Sequence, residues 1–66
     1  MSVVYVLERF SHDYNNIVAI FKHPPDVEDI ISATHLKDVN KIKDLIKHDN
    51  VCIDESLWSL TEWSLW

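Results

Sequence analysis

Hydrophobic residues follow three different rhythms along this chain. Val3 to Phe10 is β-branched and aromatic, without Gly or Pro, which predicts a strand. Alternation gives Val4, Val6, Glu8 and Phe10 to one face, and Val3, Tyr5, Leu7 and Arg9 to the other. Both faces are partly apolar, which suits a central strand better than an edge. The polar run Ser11-His12-Asp13-Tyr14-Asn15-Asn16 predicts a turn, and Ile17-Val18-Ala19-Ile20-Phe21 a second strand returning antiparallel to the first. Any left-handed backbone position must fall to Asn or Asp, because the chain has no glycine; Asn15-Asn16 offers that chemistry in the turn.

The rhythm then becomes helical. His23-Pro24-Pro25 stops the strand, with Pro25 suited to the first helical position and Asp26, Glu28 and Asp29 to the positive end of a helix dipole. Val27, Ile30, Ile31 and Thr34 recur at helical spacing, predicting a helix of about ten residues. Asp38 is placed to cap a second helix. There Val39, Ile42, Leu45 and Ile46 form one face, and Lys41, Lys43, Asp44 and Lys47 the other. Lys47 and His48 suit its negative end, and Asp49-Asn50 ends it. The link Leu36-Lys37 allows an αα-hairpin or a kinked single helix.

The tail, Val51 to Trp66, is predicted as a closing strand. Alternation sets Trp58 and Leu60 on one face and Trp63 and Leu65 on the other, and a bulge near Thr61-Glu62 would bring all four together. Ser59 followed three residues later by Glu62 imitates a capping box, so a helix is the alternative. The expected fold is α+β: a three-stranded antiparallel sheet with one or two helices packed on one face, in the order β-β-α-α-β. The first strand lies in the middle, and the sheet's other face, with its aromatics, is left open.

Sixty-six residues make a single domain, 1–66, with a thin core. Cys52 is the lone cysteine, so no internal disulfide forms; it fits a reducing cytoplasm and, between Val51 and Ile53, is expected as a small buried hydrophobe. The start lacks a basic region before its short apolar run, so no targeting signal is expected. No stretch approaches the ~20 apolar residues of a membrane span, and a soluble protein without membrane contact is expected. Six Lys and Arg against eleven Asp and Glu leave a net charge of −5. That balance argues against direct nucleic-acid binding, which draws on basic clusters. It favours a basic partner, including a nucleic-acid-binding complex.

Without glycine there is no phosphate-cradling loop, dinucleotide fingerprint or nucleophile elbow. His12, His23, His35 and His48 fall in separate elements without the spacing of a helical metal pair, so no metal and no cofactor is expected. His12 beside Asp13 imitates a base and its orienting carboxylate, but adjacent residues in a turn are ordinarily solvated. The chain is therefore expected not to be an enzyme. Trp58, Trp63 and Trp66 crowd the end of a chain too small to bury them all, and exposed aromatics dominate binding surfaces. Candidate partner-binding residues are Asp26, Glu28, Asp29, Trp63 and Trp66.

Val4-Tyr5-Val6-Leu7, Asn16-Ile17-Val18-Ala19-Ile20-Phe21 and Trp58-Ser59-Leu60-Thr61-Glu62-Trp63-Ser64-Leu65, in this order, resemble a type of small tailed-phage protein. Asp38 to Asn50 is an added helix relative to it. The resemblance implies a β-β-α-β core and binding to a bacterial protein in the host cytoplasm, as anti-CRISPR and other anti-defence inhibitors do. The alternative is a self-associating accessory module that forms a homodimer. Ile31 to Val39 with Leu45 to Val51 also looks like part of one ankyrin repeat, but a single repeat cannot bury its own face, so an ordinary helix pair is expected.

Overall fold

A computed structural model of the chain describes residues 2–13 and 15–65. The elements are β1 (Ser2–Phe10), β2 (Asn15–Phe21), α1 (Val27–Thr34), α2 (Val39–His48), β3 (Asn50–Ile53) and β4 (Ser56–Leu65). The four strands form one antiparallel sheet in the order β2-β1-β4-β3. The fold is α+β, and β1 is hydrogen-bonded to the second and the last strand as expected. The expected three strands are four, because Asn50–Ile53 pairs with Ser56–Ser59 as a hairpin of its own.

That hairpin turns through Asp54 and Glu55, both left-handed at φ 50° and 66°. Consecutive left-handed residues in a two-residue loop make a type I′ turn, whose twist matches antiparallel strands. Asp-Glu is a poor sequence signature for it, so the turn was hidden. His35 (φ 61°) and Asp49 (φ 68°) are also left-handed and cap the two helices, their N–H groups bonding the carbonyls of Ile31 and Leu45, so that His35 and Glu55 depart from the Asn or Asp expected at such positions. Asn15 and Asn16 do not make the expected turn but pair in β2 with Phe10 and Arg9. Glu55→Gly relieves a Cβ clash at a position where glycine is the preferred occupant. Expected is a gain of about 1 kcal/mol, raising the thermal midpoint by roughly 4–8 °C by calorimetry.

The capping residues behave as written in the sequence, with one shift. Val27 rather than Pro25 takes the first helical position of α1, and Asp26 is its N-cap in a reciprocal box: Asp29 N–H donates to Asp26 Oδ1 at 2.9 Å, while Asp26 N–H donates to Asp29 Oδ2 at 3.1 Å. Pro25 precedes the cap and is buried. Asp38 caps α2, accepting from Lys41 N–H.

Both helices lie on one face of the sheet. Ile30 from α1 and Ile42 and Leu45 from α2 meet Leu7, Ile53, Trp58 and Leu60 of the strands in a single buried cluster. Arg9 borders this face: its Nε donates to Ser56 Oγ at 3.1 Å, and its guanidinium lies 5.9 Å from the Trp58 ring centre. A cation over an aromatic face adds a favourable contact. Pairing of β1 with β4 runs unbroken from Ser2↔Leu65 to Phe10↔Leu57, so the bulge expected near Thr61-Glu62 is not there. The register shift lies in β2, where Val18 is the extra residue between the partners of Leu7 and Glu8. It turns both Val18 and Ala19 towards the helix-side core. Tail residues 56–65 are strand, not helix.

Candidate interaction face

Since Leu7, Trp58 and Leu60 face the helices, alternation sends their neighbours to the opposite side. Val4, Val6, Glu8 and Phe10 of β1, Ile17 and Ile20 of β2, and Leu57, Trp63 and Leu65 of β4 therefore share an outer face with nothing packed on it among the described residues. The register puts them side by side, with Val4 against Trp63, Val6 between Ile20 and Thr61, and Phe10 against Leu57. Ile17 is 53% exposed, Ile20 59%, Leu57 45%, Trp63 44% and Leu65 43%, while central Val6 is 1% exposed. Val6 lies outside the helix-side cluster; neighbouring side chains of the outer face seal it. The face is thus contiguous rather than a scatter of single apolar residues, and contiguous patches mark contact sites. Glu8 is the one charged strand residue on it among the described residues.

The candidate residues divide between the two sides of the sheet. Trp63 sits on the outer face. Asp26, Glu28 and Asp29 belong to the helix layer on the other side, so the acids and Trp63 do not converge. Trp66 lies outside the described residues. Asp26 and Asp29 already spend their carboxylates on each other's backbone, and reversing their charge removes the cap as well as the charge. Asp26→Ala is expected to cost about 1 kcal/mol in urea unfolding whatever the chain binds, whereas exposed Glu28 reports on electrostatics alone.

Cys52 is exposed, contrary to the expected burial. Val51 and Ile53 face the core, so alternation turns Cys52 outward opposite Leu57. The histidines stay apart: His12 and His23 are exposed, His35 caps α1 and His48 closes α2. Among the described residues no three His, Cys, Asp or Glu side chains gather as a metal site would require. Neither helix is long and apolar enough to cross a membrane. The outer-face residues that sequence reasoning passed over (Ile17, Ile20, Leu57) carried one usable signal, the two-sided hydrophobicity of β1. No family model, curated protein or solved structure matches this chain.

Proposed function

We propose that this chain is a non-catalytic binding module that holds a partner protein against the outer face of its sheet. The observation that carries this is the set of exposed apolar side chains that share one face, Ile17 and Ile20 on β2 and Leu57, Trp63 and Leu65 on β4. Large aliphatic and aromatic side chains exposed on rigid strands provide contact area at little ordering cost. Glu8 in the midst of that surface favours a partner with a Lys or Arg among apolar residues. In a two-fold dimer through the same face, Glu8 would be desolvated near its own copy, with no cation to offset it. The resemblance to small tailed-phage proteins supplies the class of partner. On that reading the chain is phage-encoded, acts in the bacterial host cytoplasm and occludes a defence or host-takeover protein by steric and electrostatic blocking.

The test is light scattering coupled to size exclusion, with and without bacterial lysate, on the wild-type chain and an Ile17→Lys/Ile20→Lys variant. The expected result is a defined larger complex with the wild type and none with the folded variant. A dimer that ignores lysate would replace this reading with self-association. A complex undiminished in the variant would move the contact off the outer face.

A further inference from the structure

β4 has ten residues and its neighbour β3 four, so part of β4 is bare on its β3 side. β3 covers Ser56 to Ser59, and one further bond follows, from Leu60 N–H to the Asp49 carbonyl at 2.8 Å. Backbone groups of alternate residues point to the same edge of an antiparallel strand. Beyond that bond, the Leu60 carbonyl and both backbone groups of Glu62 and Ser64 face outward, with no strand beside them among the described residues. On the opposite side β1 pairs with β4 as far as Leu65, so the bare groups are held in extended geometry. The sheet's other edge, β2, carries the bulge at Val18, a device that discourages strand addition. Among the described residues the bare part of β4 carries no bulge, its register with β1 running unbroken to Leu65.

A cleft of about 370 Å³ adjoins this edge on the helix side. Tyr5, Pro25, Ile46 and Leu60 line it with apolar surface, and its charged lining residues are Asp49 and Glu62, with no Lys or Arg.

We infer that the bare edge of β4 is a strand-addition site for an extended segment of a partner protein, with Lys or Arg on one face and aliphatic residues on the other. Main-chain bonds to Leu60, Glu62 and Ser64 hold the segment, and alternate side chains set the preference. Those facing the cleft lie beside Asp49 and Glu62 and are cationic; those facing outward lie beside Trp63 and Leu65 and are apolar. From Leu60 to Ser64 the edge spans about 13 Å, room for about five residues. Charge argues against a second copy as occupant. Two β4 edges paired antiparallel about Trp63 would put Glu62 on the same face as Glu62 of the other copy, with no cation between them. The site adjoins the outer-face contact at Trp63 and Leu65, but its main-chain bonds to Leu60, Glu62 and Ser64 do not involve Ile17 and Ile20 on the far strand.

The experiment titrates the isotope-labelled full chain with two end-capped octapeptides, one alternating Lys and Val, the other Glu and Val. The Lys-Val peptide is expected to bind saturably, to move the Glu62 and Ser64 amide resonances most and to slow their hydrogen exchange; the Glu-Val peptide is expected not to bind. Ser64→Pro deletes a donor that bonds to nothing among the described residues, at an edge position where proline is tolerated. Its circular dichroism should match wild type while peptide affinity falls at least about tenfold. Should that variant not fold, Glu62→Lys keeps the backbone and is expected to lose the Lys-Val peptide. Ile20→Lys is expected to leave peptide affinity unchanged, which separates this site from the outer face. The inference is overturned by any of four results: no saturable Lys-Val binding up to ~1 mM, shifts centred on β2, a folded Ser64→Pro that binds like wild type, or Glu62 and Ser64 amides already protected in a dimer of the chain alone.

Discussion

Leu7→Ala is expected to lower the unfolding free energy by about 3 kcal/mol. Leu7 is fully buried, on the central strand, flanked by Ala19 and Leu60 across the sheet and part of the cluster that includes Ile30, Ile42 and Leu45 from the helices. No neighbour can shift into the vacancy without breaking a strand pairing or a helix contact, so the lost transfer energy is joined by a cavity term. A domain of this length has a total stability of roughly 3–10 kcal/mol, of which this one substitution removes a large share. Urea unfolding followed by tryptophan fluorescence measures it. The control is Ile20→Ala, half-exposed on the outer face, expected to cost less than about 1 kcal/mol. Equal losses at the two positions would mean that the helix side is not the core.

Trp63→Ala is expected to weaken partner binding by roughly 30-fold, or about 2 kcal/mol, while changing stability by less than about 1 kcal/mol. Trp63 is 44% exposed and faces away from the helices, so its ring lies outside the helix-side core. Trp58→Ala, five residues earlier on the same strand but on the other face, is expected to unfold the domain. Calorimetric titration of the partner recovered in the light-scattering peak gives the affinity, and thermal unfolding gives the stability. If Trp63→Ala bound at full strength, the outer face would not be the contact. If it unfolded the domain, the ring would be a core element after all.

These two tryptophans also show how far the sequence was legible. Simple alternation separates Trp58 from Trp63, and the structure keeps that separation. The bulge that would have united them had no local support, because an unbroken β1 partner leaves no room for an extra residue. The acidic trio was legible too, though as a helix start: Asp26 and Asp29 satisfy one another's backbone, as the spacing of a capping box requires. Cys52 was misplaced because apolar neighbours on both sides say nothing about parity, and parity decides which side of a strand is buried.

What the sequence determined by itself is what depends on nearest neighbours. The periodicity of β1, the caps at Asp26 and Asp38, the amphipathic faces of the two helices and the α+β class all follow from local sterics and spacing. The absence of glycine did not prevent tight turns; it moved their conformational cost onto His35, Asp49, Asp54 and Glu55. Tertiary structure alone decided that Asn50–Ile53 becomes a fourth strand, since a left-handed Asp-Glu turn is tolerated only when the strands it joins are already packed beneath α2. It also decided which face of β4 meets the helices and how much of its edge is left bare. Those outcomes depend on strand lengths and register across the whole sheet, where one residue of slip exchanges the buried face for the exposed one.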